Sequence, residues 1–452
     1  MQKILILGAG RSATSLINYL YQNASANDWE ITIGEKDLAL AKEKTTDYPD
    51  AHLISFDIEN EDQVHEEINK ADLVISMLPA RFHIIPARKC AELGKNMVTA
   101  SYVTDDIKEL SAEFESKGAQ CIMELGLDPG LDHMSAMKVL DRLKEEGNEL
   151  TAFETFTGGL LTEDKENDNP WKYKFTWNPR NVVLAGQGYV KFIQEGRYKY
   201  IPYHQLFQRA EVIHIPGHGY FEGYANRDSL KYLDVYKLRG INTLYRGTLR
   251  RLGYCKGWDI FVQLGATEDT YQLEKVNEMT HRQFINSFLQ YNPGDSVELK
   301  LAHYLNIGME SEEMYKLKWL NLFSDELVGL DQGTPAQILE HILKKKWTLK
   351  EDDRDLIVMW HKFDYLENGT PKQIQAHMVV EGEDQINTAM SKTVGLPLAV
   401  AAKHILSGKI SKPGVHVPTN KDIYEPILDE LDKMGFEFRE IEVELTAPQP
   451  TD

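Results

Sequence analysis

Cysteine is scarce in this 452-residue chain: Cys90, Cys121 and Cys255 lie far apart and form no CxxC pair. That spacing argues against a disulfide framework or a structural zinc site, and it fits a reducing compartment. No apolar run reaches the length a membrane-spanning helix needs. Basic residues are also short, with 50 Lys and Arg against 70 Asp and Glu, for a formal net charge of -20. An acidic chain is poorly suited to nucleic acid or an anionic membrane, so neither is expected as a partner. The first apolar segment begins almost at Met1, so no signal peptide is expected and the cytoplasm is the default location. What remains is globular composition, 42% hydrophobic and 27% charged. The length calls for more than one core.

The N-terminal stretch has a clear rhythm. Lys3 to Leu7 reads as a short strand, followed by Gly8-Ala9-Gly10-Arg11-Ser12-Ala13 and a helix carrying Leu16, Ile17 and Leu20 on one face. This is GxGxxA at a strand-to-helix turn, the setting in which a dinucleotide pyrophosphate is held. Gly8 allows the tight turn, Gly10 lets backbone approach the ligand, and Ala13 permits close packing, with Arg11 and Ser12 between them. Strands follow at Glu30 to Ile33, His52 to Ser55, Leu73 to Ser76, Asn96 to Thr99 and Gln120 to Glu124, separated by short helices. Such alternation predicts a Rossmann-like doubly wound parallel sheet.

Candidate ligand positions fall at the strand ends. Glu35, after the second strand, can accept both ribose hydroxyls and would repel a 2′-phosphate, which favours NAD over NADP. Lys36 could instead pair with that phosphate, or be an ordinary solvated lysine. Asp57, past the third strand, is placed to contact adenine or to be a plain loop aspartate. Ser76-Met77-Leu78-Pro79 and Ala100-Ser101-Tyr102 end the fourth and fifth strands. The segment Glu124 to His133 closes the domain, and there Asp132 reads either as functional or as a helix cap, and His133 as functional or structural.

Beyond residue 128 the pattern changes to an α+β arrangement. A helix is expected over Leu131 to Leu143, then an extended run Leu150 to Thr157 and a bend at Gly158-Gly159-Leu160. A polar loop Asp164 to Asn169 and an aromatic segment Trp171 to Trp177 follow. Further extended segments are expected near 210–215, 244–249, 297–304, 356–364 and 373–381, and helices at 270–288, 335–346, 396–406 and 423–434. This predicts a mixed, largely antiparallel sheet with a helical insertion over about 265–350, and a polar tail from Thr446. The expected domains are 1–127 for the dinucleotide, 128–389 for substrate and dimerisation, and 390–452 returning toward the nucleotide domain. Two arginine-bearing loops, Asn226-Arg227-Asp228-Ser229 and Arg246 to Arg251, suit a carboxylate ligand, although Arg251 reads as a surface residue. No metal site is expected.

At these residues the sequence resembles the saccharopine dehydrogenase family. The resemblance is carried by Ala100-Ser101-Tyr102-Val103, Glu124 to His133, Gly158-Gly159-Leu160, Asn169-Pro170, Tyr173 to Trp177, Asn226 to Ser229 and Arg246 to Arg250. It implies a homodimeric NAD- or NADP-dependent oxidoreductase that converts saccharopine reversibly to glutamate and 2-aminoadipate 6-semialdehyde. By motif, Ser101, Tyr102, Asp128, Arg227, Thr248, Leu249 and Arg250 would contact substrate. Gly10 to Ala13, Glu35, Lys36, Leu127, Asp128 and Pro129 would lie near the cofactor. Asp128 and Tyr102 are the expected proton relay, with His133 behind them. The chain departs from the family pattern at Glu35-Lys36, at Thr157, where cysteine is common, and at Met123, where asparagine is usual. The alternatives are a related dehydrogenase, such as a carboxynorspermidine-type enzyme, or a dinucleotide-binding protein without turnover.

Overall fold

The computed structural model describes residues 1–166, 168–443 and 445; the tail from Thr446 lies outside them. Two compact units are present: one of Met1–Leu150, Leu366–Thr370 and Met378–Glu440, the other of Thr151–Tyr365, Pro371–His377 and the last described residues.

Six strands open the chain: β1 (Gln2–Leu7), β2 (Trp29–Glu35), β3 (His52–Ser55), β4 (Leu73–Ser76), β5 (Asn96–Thr99) and β6 (Gln120–Ile122). The middle of the chain supplies β7 (Glu149–Leu161), β8 (Tyr189–Gln194), β9 (Arg197–Pro202), β10 (Glu211–Ile215), β11 (Gly219–Ala225) and β12 (Thr243–Arg251). Last come β13 (Asp355–Glu367), β14 (Thr370–Glu381), β15 (Gly414–His416) and β16 (Arg439–Val443).

The first sheet has the order β15-β6-β5-β4-β1-β2-β3, and every pairing is parallel. Parallel strands need cover on both faces, which is why β4 is buried at all four positions. One face meets helices Glu61–Lys70, Ile84–Leu93 and Ser111–Lys117, whose Val64, Ile68, Ala87, Cys90 and Phe114 pack on Leu5, Val74, Met97 and Cys121. Phe114 is fully buried, so truncating it to alanine should cost about 3–5 kcal/mol. Helix Thr14–Asn27 packs against helix Ala389–Leu406. A Cβ at Gly395 would meet the Leu16 amide nitrogen at 2.8 Å, so glycine sets how closely these helices approach.

The second sheet is mixed, in the order β10-β11-β12-β7-β13-β14-β16, with β8 joined to β12 and β9 to β8. β12 runs antiparallel to β11 and parallel to β7. Between β12 and β13 the described residues form helices and turns, including Tyr254–Leu264, Glu312–Trp319 and Pro335–Trp347. This is an inserted mixed-sheet part with a helical excursion.

Several local expectations are corrected. Residues 297–304, read as extended, form helix Val297–Leu305, because Ser296 caps it through the Leu299 amide and Val297, Leu301 and Ala302 share a buried face. The single helix expected over 270–288 is broken: Lys275 is left-handed, and Thr280 with Gln283 forms a capping box that starts a separate helix, His281–Asn286. The helix expected from Leu396 starts at Ala389 and runs through Pro397, with Thr388 as its cap. Gly158 and Gly159 make no bend, since β7 passes straight through them. A Cβ on Gly158 would lie 2.5 Å from the Leu249 carbonyl oxygen, so close strand approach explains the glycine.

Candidate active site

The glycine turn follows β1. Gly8 has φ +97° and its amide donates to the Gly34 carbonyl at 2.9 Å; a Cβ there would meet the Met77 carbonyl oxygen at 3.0 Å. Gly10 differs, because a Cβ there would meet nothing within 4 Å. Its backbone face is open, and the helical turn Arg11–Ala13 leads into Thr14–Asn27 with Ala13 fully buried. First-turn amides without intrahelical partners at an open backbone fit a pyrophosphate.

At the end of β2, Glu35 accepts the Ala9 amide at 2.7 Å on one oxygen, and on the other the amides of Lys36 at 2.8 Å and Asp37 at 3.3 Å. Lys36 Nζ lies 3.2 Å from Asp57 Oδ2, beyond β3. The Glu59 amide and Lys36 together hold the Asp57 carboxyl below its usual range. Leu78 follows β4 and is half-buried against the sheet core.

The ends of β5 and β6 carry the candidate proton-relay residues. The segment after β6 runs beside Ser101, with the Glu124 amide donating to the Ser101 carbonyl at 3.0 Å and the Leu125 amide to the Thr99 carbonyl at 3.1 Å. Tyr102 Oη donates to Asp128 Oδ1 at 3.4 Å, and both residues are partly exposed. Leu127 is nearly buried and Pro129, whose carbonyl accepts the Gly126 amide, closes the turn. Behind them Glu124 accepts the Val103 amide at 2.9 Å and approaches His133 Nε2 at 2.8 Å. Asp132 lies 3.6 Å from His133 Nδ1 and accepts the Gly130 amide at 2.6 Å, at the start of helix Leu131–Glu145. His133 has no exposed surface, and carboxylates lie against both ring nitrogens.

In the second unit the pair of arginine loops is corrected: Arg246 to Arg251 lie within strand β12, not in a loop. Arg227, just past β11, has φ +52° and an exposed side chain. Arg250 is 5% exposed, with Nη1 donating to the Leu249 carbonyl at 2.9 Å. Its guanidinium lies 5.0 Å from the ring centre of Tyr173, 5.2 Å from Tyr254 and 5.9 Å from Tyr224. Burial pushes the Tyr173 hydroxyl up to about 12, so this ring is neutral. Among the described residues no carboxylate pairs with Arg250, and its Nε has no hydrogen-bond partner. A buried cation left unpaired is costly; an incoming carboxylate would compensate it. Leu249 is fully buried and Thr248 partly so. Arg251 is not a surface residue: it is 7% exposed, ion-paired with Glu166 and 4.9 Å from the Phe221 ring centre.

Residues 4–122 match the saccharopine dehydrogenase NADP binding domain, and residues 126–436 match the saccharopine dehydrogenase C-terminal domain. The chain belongs to the saccharopine dehydrogenase family. It is 30% identical over 450 residues to the saccharopine dehydrogenase (NADP(+), L-glutamate-forming) of Pyricularia oryzae, covering 97% of this chain and 98% of that one. It is 34% identical over 450 residues to the mitochondrial alpha-aminoadipic semialdehyde synthase of Rattus norvegicus, covering 97% of this chain. The chain spans about half the length of that relative, 47%. A solved structure of apo saccharopine dehydrogenase (L-Glu forming) from Saccharomyces cerevisiae has a TM-score of 0.88 at 28% identity, covering 98% of this chain and 100% of that one.

Within this family fold, the candidate residues of the first unit gather at the carboxyl edge of adjacent parallel strands, where ligands bind in such sheets. Two features escaped sequence reasoning. His83 bridges Ser76 and Ser101, and Tyr173, Tyr224 and Tyr254 surround Arg250. Neither carries a local motif, because the partners are far apart in sequence. Among the described residues, no cluster of His, Cys, Asp and Glu is arranged to hold a metal ion, and no helix is long and apolar enough to cross a membrane.

Proposed function

We propose that this chain oxidises saccharopine at its CH-NH group. Saccharopine, water and NAD(P)+ give L-glutamate, 2-aminoadipate 6-semialdehyde, NAD(P)H and a proton, and the reaction runs in both directions. The reading rests chiefly on the full-length similarity to the glutamate-forming dehydrogenases. The Tyr102–Asp128 contact at the edge of the first sheet gives it a chemical basis.

When bound, oxidised nicotinamide supplies the hydride acceptor. Gly8, Gly10, Arg11, Ser12 and Ala13 would hold its pyrophosphate, the Glu35-Lys36 corner and Asp57 its adenosine side, and Leu78, Leu127, Asp128 and Pro129 the nicotinamide side. The substrate amine must be neutral before its carbon can release hydride. Asp128 takes that proton with the help of the Tyr102 hydroxyl, and the same pair returns one to the departing amine after water attacks the imine. His133, buried between Glu124 and Asp132, positions this segment and is not itself a proton donor to substrate. Ser101, Arg227, Thr248, Leu249 and Arg250 are assigned to the substrate's polar groups. The missing counter-charge at Arg250 supports a carboxylate there.

NAD is the preferred cofactor in this reading. The Glu35 carboxylate is held in place by three backbone amides, and it would repel a 2′-phosphate. Lys36 is already paired with Asp57. The functional division follows 1–127 for dinucleotide, 128–389 for substrate and 390–452 returning to the nucleotide domain, in a cytoplasmic homodimer. Three buried free thiols suit a reducing compartment.

The test is formation of reduced cofactor, followed by its absorbance, with saccharopine and either NAD or NADP at alkaline pH. Reduced cofactor with released glutamate supports the assignment. Dinucleotide binding without turnover of saccharopine sinks it and points to another amine substrate or a binding role.

A further inference from the structure

His83 immediately precedes helix Ile84–Leu93, makes no side-chain cap to it, and lies across the carboxyl ends of β4 and β5. Its Nδ1 is 2.8 Å from Ser76 Oγ, and its Nε2 is 2.6 Å from Ser101 Oγ. Ser76 is fully buried and His83 is 2% exposed, whereas Ser101 is partly open. We infer that His83 is a positioning residue whose ring, oriented by Ser76, turns the Ser101 hydroxyl into a hydrogen-bond donor toward a carboxylate or carbonyl oxygen of the bound substrate. This rests on the reading that Ser101 contacts substrate.

The direction follows from hydrogen accounting. A serine hydroxyl has one hydrogen to place, and among the described residues the Ser76 hydroxyl has His83 Nδ1 as its one side-chain partner. If Nδ1 carried the ring proton, Ser76 would accept it and keep its own hydrogen buried without an acceptor, which is costly. The cheaper arrangement has Ser76 donate to Nδ1, leaving the proton on Nε2 to donate to Ser101 Oγ. Ser101 then spends a lone pair on the ring, and its own hydrogen turns away toward the open side. Burial pushes the His83 ring down to about 4, so it stays neutral and keeps this direction near neutral pH.

A glutamine side chain reaches about as far as Nε2 and an asparagine about as far as Nδ1. His83→Gln can therefore still donate to Ser101, whereas His83→Asn meets Ser76 alone. The expected result is a loss of about tenfold in kcat/KM for saccharopine in His83→Ala and His83→Asn, carried mainly by KM, with most of it restored in His83→Gln. Dinucleotide affinity should stay unchanged in all three. Equal loss in His83→Gln and His83→Asn would mean a packing role and overturn the inference. An independent readout is the ring tautomer in protein carrying isotope-labelled histidine, with His83→Gln assigning the signal. The Nε2–H form is expected from about pH 5.5 to about pH 9, and the Nδ1–H form overturns the inference. A wild type inert toward saccharopine but showing the expected tautomer would sink the oxidoreductase reading and still support the hydrogen-bond direction.

Discussion

The Glu35 carboxylate accepts the Ala9 amide at 2.7 Å, which ties the end of β2 to the glycine turn after β1. One side chain thus shapes the phosphate turn and, in our reading, excludes a 2′-phosphate. Replacing it should change affinity and preference together. Glu35→Ser should raise the KM for NAD about tenfold, and adding Lys36→Arg should move the NADP-to-NAD ratio of kcat/KM upward by about 100-fold. Steady-state kinetics with both cofactors check this. A parent enzyme already faster with NADP would show that Lys36, not Glu35, sets the preference.

The two glycines of the turn should fail in different ways. A Cβ at Gly8 meets the Met77 carbonyl oxygen at 3.0 Å in a backbone conformation that L-residues rarely adopt. Gly8→Ala should therefore cost roughly 1–3 kcal/mol of stability. Gly10→Ala meets nothing within 4 Å, so the melting temperature should hold while the methyl occupies the face the pyrophosphate needs. Dinucleotide affinity should then fall by at least about tenfold. Thermal melts and a binding titration separate the outcomes, and unchanged affinity in Gly10→Ala would move the phosphate elsewhere.

Adjacent arginines on β12 give a second contrast. Arg251 and Glu166 are a buried pair, so Arg251→Met leaves the Glu166 carboxylate with only the more distant Lys172, 3.7 Å away, and should cost about 3 kcal/mol. Arg250 has no carboxylate partner among the described residues, so Arg250→Met strands no anion. It should leave the unliganded protein nearly as stable, or slightly more so, while saccharopine KM rises by at least about 100-fold. Denaturant unfolding without ligand checks the first part and kinetics the second. An Arg250→Met protein as unstable as Arg251→Met would make Arg250 a structural residue.

The parallel sheet was legible because its strands are short runs with turns at both ends, buried at 73–76 and mostly so at 96–99: these two and the edge strand 52–55 have the bounds the sequence predicts. The mixed sheet was harder. The β8–β9 hairpin interleaves charged and aromatic residues, with Val190, Phe192 and Ile201 buried but Tyr198 and Tyr200 about 60% exposed, so no clean apolar run marks it in the sequence. Val297 at a helix start suggested a strand because β-branched residues favour strands locally, and Ser296 overrode that preference. The glycine turn and the Tyr102–Asp128 edge were visible as motifs. His83 and the Arg250 cage were not, since only the fold brings Ser76 to Ser101, or Tyr173 to Tyr254.

His83 also sets an acid limit on stability. Burial lowers its folded-state pKa to about 4, against roughly 6.5 for an unfolded histidine. Between those values the unfolded chain binds the proton and the folded chain does not, so protonation favours unfolding and stability falls as pH drops through the window. From pH 7.5 to pH 5 this one ring should remove about 2 kcal/mol. His83→Gln cannot titrate, so its loss over the same interval should be smaller than wild type by about that amount. The remainder comes from other groups, including His281 and His404, whose pKa values burial also lowers. Urea unfolding of both proteins at the two pH values measures the difference. Parallel losses would mean that His83 titrates normally, through water reaching the ring or a folded state that opens on that side.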